Sequence, residues 1–340
     1  MKKHLIAAAV AGAFAVPAMA QVTVSGKLRF AYESAEKRSA LSTHTGGAPI
    51  AGAVAAKVQG LRVTDGDFRL TATEDLGGGM RATAYMEVLS RGRSTTIAGR
   101  DAGITLSGGF GSIFIGAIEA ANGIEPLAAA GAPGYGDLDA NSFGYNVLRG
   151  GSNVDFLSYT TPELTKGLTA RFALVDGDGA TAGNAGTGGM QATSTTSESI
   201  LVGVNYNAGP LRLALDYTSS SDNANTTATR ADNRTRLSGS YDLGVMRIGL
   251  GYETLKLANS ATDKQTMIGV ALPLGAATLG ASYAEGKLTG AQKRSGYDLG
   301  ANYALSKRTY AGVHYLRSED KNATTAGKDS KFRIQLAHSF

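Results

Sequence analysis

The sequence predicts an all-β chain closed into a sixteen-stranded antiparallel transmembrane β-barrel, and three observations predict it. Apolar and polar residues alternate with period two from end to end. Short turn-forming connections alternate with long polar ones. Gly is 46 of 340 residues, about twice the usual ~7% share, while charged residues are only 18% and hydrophobic residues 43%.

The first element is not part of the barrel. Residues 1–20 join a basic start (Lys2, Lys3) to an apolar stretch over 5–16 and then Pro17-Ala18-Met19-Ala20, the A-x-A pattern of a secretory signal peptide. The apolar stretch is shorter than the ~20 residues of a spanning helix. The mature chain is expected to run over 21–340. Losing Lys2 and Lys3 leaves 31 bases against 28 acids, a net charge of +3, too balanced for a nucleic-acid partner. No later run of 18 apolar residues exists, which excludes helical spans.

Strand signals follow in order. Val22, Val24, Leu28, Phe30 and Tyr32 share one face and Thr23, Ser25, Lys27 and Arg29 the other. The same two-faced pattern runs through Met80–Val88, Ile200–Tyr206 and Met246–Tyr252, and it ends the chain with Phe332, Ile334, Leu336, His338 and Phe340. Seven connections are tight and rich in turn formers: 74–79, 107–111, 162–167, 207–210, 242–244, 273–275 and 304–308. Eight are longer and polar or Gly-rich: 33–61, 90–99, 119–152, 177–197, 219–232, 256–263, 285–294 and 318–329. They alternate, long first and long last. Fifteen connections therefore join sixteen strands, with short periplasmic turns on one side and long extracellular loops on the other. Lipid offers no partner to an open sheet edge, so such a sheet must close.

A soluble two-sheet protein is the competing architecture. Its apolar face would have to fill a core with bulky side chains. Here that face carries Ala82, Ala84, Gly239, Ala281, Ala301 and Ala311, and the opposite face holds charge at Arg81, Arg171, Arg212 and Arg247. A wet lumen tolerates the second pattern and a dry core does not. Tyrosines agree: Tyr206, Tyr241 and Tyr303 lie on the apolar face beside short turns, and Tyr32, Tyr252, Tyr283 and Tyr315 on it near long loops, as two interfacial girdles require.

Several stretches resemble the general porins of Gram-negative bacteria, the trimeric sixteen-stranded type found in neisserial and other proteobacterial outer membranes. They are Thr73-Glu74-Asp75-Leu76-Gly77-Gly78-Gly79-Met80-Arg81-Ala82, the run Arg100-Asp101-Ala102-Gly103-Ile104-Thr105-Leu106-Ser107-Gly108-Gly109-Phe110-Gly111, and Tyr159-Thr160-Thr161-Pro162-Glu163-Leu164. The terminal Phe340 resembles the signal read by outer-membrane assembly machinery. The resemblance spans the chain. It implies a homotrimer in outer-membrane lipid, with a passive water-filled pore for small hydrophilic solutes and ions. It also implies a third long loop folded inward to narrow that pore.

That loop is 119–152, the longest in the chain. Its acids Glu119, Glu125, Asp137 and Asp139 are expected to oppose Lys27, Arg29, Arg69, Arg81, Arg100 and Arg171 on the wall, since charges crowding a narrow passage set selectivity. Parity gives their face but not their height. The chain departs from the family in places. Gly66-Asp67 stands where relatives carry Ser-Arg, Gly116-Ala117-Ile118 where they carry Gly-Arg-Gln, and Ile124-Glu125-Pro126-Leu127 is a loose counterpart of their Pro-Glu-Phe-Gly-Gly. Fewer wall bases argue against a strong anion preference, and weak selectivity is expected.

Other chemistry finds little support. With no Cys there is no thiol or zinc-cysteine site, and the four His show no H-E-x-x-H spacing. No P-loop or G-x-S-x-G elbow is present. Asp176-Gly177-Asp178-Gly179 lacks the closing Glu of a calcium loop and reads as a solvated tip. No enzyme activity, cofactor or metal is expected. Two alternatives remain: a substrate-specific channel of the same build, or a structural or adhesive barrel. Few aromatics on the polar face (Tyr85, with Tyr310 and Phe156 as further candidates) and unremarkable loops favour the general channel.

Overall fold

Where lipid surrounds a chain, every backbone N–H and C=O must find a partner in another strand. The computed structural model describes residues 21–37, 56–90, 98–119, 124–135, 153–176, 197–222, 231–290, 293–320 and 327–340. It meets that demand with sixteen strands: β1 (Gln21–Lys37), β2 (Ala56–Gly77), β3 (Met80–Leu89), β4 (Ala98–Gly108), β5 (Gly111–Glu119), β6 (Asn153–Thr160), β7 (Leu168–Asp176), β8 (Ser197–Ala208), β9 (Leu211–Asp222), β10 (Ala231–Asp242), β11 (Arg247–Leu257), β12 (Thr262–Leu274), β13 (Ala277–Leu288), β14 (Arg294–Ala304), β15 (Thr309–Asp320) and β16 (Gly327–Ser339). Each pairs antiparallel with its sequence neighbours, and β1 pairs with β16, closing the barrel. All seven short turns fall where the sequence puts them.

The seam is completed by the last residue. Gly26 N–H donates to the Phe340 carbonyl and Phe340 N–H to the Gly26 carbonyl, both at 3.0 Å. The Phe340 ring lies over Gly26, where a Cβ would sit 2.5 Å from its Cζ.

Side chains sort by parity. Val22, Val24, Phe30, Ile115, Leu174, Leu250, Ile334 and Leu336 are exposed on the outer face, as apolar groups facing lipid must be. Among the Tyr residues, Tyr241 and Tyr303 near short turns and Tyr32, Tyr252 and Tyr283 near long loops are also exposed, whereas Tyr206 and Tyr315 are half-buried.

Two features differ from the expected pattern. The first long connection is shorter than 33–61, because β1 runs to Lys37 and β2 starts at Ala56, with Glu36 opposite Lys57 and Glu33 bound to Arg62 at 2.9 Å. Opposite charges across the pair favour its extension. The register of β2 also slips: Phe30 faces Val63, Arg29 faces Asp65, and Thr64 is left over as a β-bulge. The bulge reverses the parity of β2. Leu61 and Val63 face out before it, Phe68 and Leu70 after it, so Arg62, Asp65, Asp67 and Arg69 all face the lumen.

Candidate functional site

Residues 124–135 of the third long loop lie inside the barrel. They contain one helical turn, α1 (Glu125–Ala128), with Pro126 in its first turn, where the missing N–H costs nothing. The helix packs on β9 to β12. Ile124 and Ala128 are buried with Met267, Ala284 and Leu316, all inward-facing wall residues. Glycines on that wall make the seat. A Cβ on Gly269 would lie 2.4 Å from the Ala128 carbonyl oxygen, and one on Gly300 would lie 2.1 Å from that of Pro133. No side chain fits at either position, so the loop backbone lies directly on the sheet.

The far end of the segment is clamped by polar groups. Tyr135 N–H donates to Asp298 Oδ2 at 2.6 Å, and Asp298 is itself buried. The Arg333 guanidinium sits 4.0 Å over the Tyr135 ring, and His314 meets that ring edge-on at 6.3 Å. Arg333 is held in turn by Glu33, at 2.6 Å.

Across the lumen stands a different wall. In a closed ring of sixteen, β4 lies diametrically opposite β12. On β1 to β4, Lys27 contacts Asp65 at 2.5 Å and Asp67 at 3.9 Å, and Arg29 contacts Asp65 at 3.4 Å. Arg100 contacts Asp67 at 3.3 Å and Glu87 at 3.1 Å; Arg69 contacts Glu87 at 2.5 Å. The bases form a ladder with acids of neighbouring strands. Each cation's pull on a passing anion is opposed by the carboxylate beside it.

A second charged arc lines β9 to β14. Arg236 bonds Asp216 at 2.8 Å, Arg234 bonds Glu253 at 2.5 Å, and Arg294 bonds Asp263 at 2.6 Å. The last two pairs are buried, so removing either partner would leave its mate an uncompensated buried charge.

Of the residues singled out from the sequence, Lys27, Arg29, Arg69 and Arg100 come together in the ladder. Arg81 does not: it is exposed opposite Asp75 and Ser107, beside the β2–β3 turn. Arg171 on β7 lies 4.8 Å over the Phe156 ring, apart from the ladder. Glu125 is buried in α1. Glu119 ends β5 opposite Asn153. Asp137 and Asp139 lie outside the described residues, as do 1–20 and most of the long loops. Sequence reasoning missed Asp65, Asp67 and Glu87 as the acids of the ladder, and Glu33, Arg62 and Arg333 as a charged group beside it. The shift of apolar residues from odd (Leu61, Val63) to even (Phe68, Leu70) is the signal that would have placed Arg62 and Asp65 inside.

Comparison with known proteins places this geometry. The family described as Gram-negative porin matches residues 7–323. An outer membrane porin protein of Bordetella pertussis is 26% identical over a 409-residue alignment covering 98% of this chain and all of that protein. The fold is shared with an anion-selective porin from Comamonas acidovorans (TM-score 0.66, 19% identity, 94% of this chain and 100% of that one). It is also shared with a loop-deletion form of OmpT, an outer membrane protein of Vibrio cholerae (TM-score 0.68, 14% identity, 94% and 99%). The chain belongs to the Gram-negative porin family: it is an outer-membrane barrel whose water-filled lumen passes small hydrophilic solutes and ions by passive diffusion.

Proposed function

We propose that permeating solutes pass between the inward loop seated on β11 to β14 and the charged ladder of β1 to β4, and that this passage selects only weakly by charge. One observation carries the reading. Lys27, Arg29, Arg69 and Arg100 are each bound to Asp65, Asp67 or Glu87 of the same wall. A field from paired charges falls off faster than one from bare bases, and salt screens it further. The Comamonas porin that shares the fold is anion-selective; the acids paired here argue for a smaller preference in this chain. The test is the zero-current potential across a planar bilayer under a KCl gradient. A value near zero supports weak selectivity, and one near the chloride equilibrium potential overturns it.

The same reading includes export directed by residues 1–20, recognition of the terminal Phe340 by assembly machinery, and a homotrimer. Small residues Ala72, Ala84, Ala102 and Ala117 form a shallow apolar depression on the lipid face of β2 to β5, a surface on which a second barrel could pack closely. A band of trimer size on an unheated gel, collapsing to a monomer on heating, is the expected result. Monomer-size migration without heating would remove the trimer from the account.

A further inference from the structure

We propose that the lumenal wall from β3 to β7 carries a subsite for flat, amphipathic aromatic carboxylates, built from Tyr85, Phe114 and Phe156 with Arg171 as the anion partner. The proposal rests on the channel reading above, because the subsite must be reached through the lumen.

Three inward-facing aromatics from separate strands form one strip. The Tyr85 and Phe114 rings are 6.3 Å apart at an interplanar angle of 16°, and Phe114 and Phe156 are 6.1 Å apart at 52°. Register explains why they meet. Tyr85 pairs with Gly103, Gly103 with Gly116, and Gly116 with Phe156. The two glycines leave a bay between the outer aromatics, and the Phe114 ring lies down in it. A Cβ on Gly103 would fall 2.4 Å from that ring and one on Gly116 2.9 Å from it. The strip is therefore continuous.

A guanidinium lies over each end: Arg69 at 4.4 Å over Tyr85 and Arg171 at 4.8 Å over Phe156. Stacking holds each side chain by its face and leaves the N–H edge for an anion. The two ends differ. Arg69 is bound to Glu87. Arg171 has no ion pair among the described residues; Asp216, two strands away in register, is bound to Arg236. One arginine edge is thus available, next to an apolar strip whose Tyr85 and Phe114 rings are only half-buried. In a water-filled lumen such a strip favours a solute that covers it, and the guanidinium beside it selects a carboxylate. A small inorganic anion satisfies one half of the site and a neutral sugar the other. An aromatic carboxylate satisfies both.

The test uses the whole folded protein in planar bilayers with benzoate as the probe and acetate, at matched ionic strength, as the control. Benzoate should reduce KCl conductance saturably, with half-block at roughly millimolar concentration, and acetate should not. Phe114→Leu and Arg171→Gln should each raise the half-block concentration about fivefold or more, judged against each variant's own KCl conductance. As a readout independent of conductance, Phe114→Trp would introduce the only Trp in the sequence, and its fluorescence should respond saturably to benzoate but not to acetate. An open channel that treats benzoate and acetate alike, with no fluorescence response, overturns the subsite alone. A protein that conducts no KCl overturns the channel reading and the subsite with it.

Discussion

Glu87 is the residue on which the charged ladder turns, because it accepts from both Arg69 (2.5 Å) and Arg100 (3.1 Å). Glu87→Gln removes one negative charge and leaves both guanidiniums less compensated. The zero-current potential in a KCl gradient should therefore move toward chloride. The shift should be larger at about 0.1 M than at 1 M salt, since the screening length falls from about 10 Å to 3 Å. No shift at either concentration would mean that permeating ions do not sense this wall. The glycine seats make a second residue-scale claim. Gly300→Val pushes a side chain into the Pro133 carbonyl, overpacking that costs about 1–3 kcal/mol. The loop should yield rather than the hydrogen-bonded sheet, so single-channel conductance should change while heat-modifiable migration persists; unchanged conductance would count against the seat. At this scale the sequence was half legible. Parity put Lys27, Arg29, Arg69 and Arg100 in the lumen. It could not give height, which is why Arg81 was grouped with residues that lie far from it. Nor could it pair Asp65 with Lys27, which requires the register across β1 and β2.

Strand elements were read almost completely, because tilted strands and Gly-rich turns leave a strong periodic trace. The exception is β2, where one extra residue, Thr64, turns the pattern over. That bulge can be tested directly. Deleting Thr64 would join Val63 directly to Asp65 and restore unbroken alternation in the existing register, leaving Leu61, Val63, Phe68 and Leu70 all on the lipid face. The variant should therefore keep the folded, heat-modifiable band; losing it would contradict the reading of Thr64 as a single extra residue in an otherwise regular strand. The inward segment around α1 was expected only through family resemblance. Its own residues, Ile124 and the Ala-rich stretch after it, look like any small-residue loop. Their seat comes from glycines on four other strands, Gly249, Gly269, Gly280 and Gly300, a long-range match that no local pattern contains.

For the whole molecule, the governing fact is that two solvents contact one sheet. Leu250 is 60% exposed on the outer face, while Thr105 faces the lumen. Leu250→Arg should destabilise the folded barrel by about 2–4 kcal/mol, the cost of a cation near the bilayer midplane. Thr105→Arg should be tolerated and should alter ion preference instead. Equal tolerance of both, measured by denaturant unfolding in bilayers, would contradict the assignment of faces. The seam between β1 and β16, closed by Phe340, keeps these two environments apart. The most direct measurement of the central claim is the current through purified, folded protein in a planar bilayer. The account predicts stepwise conductance that scales with the conductivity of the bathing salt, as an open aqueous path requires. A correctly folded, membrane-inserted barrel that carries no current would contradict it.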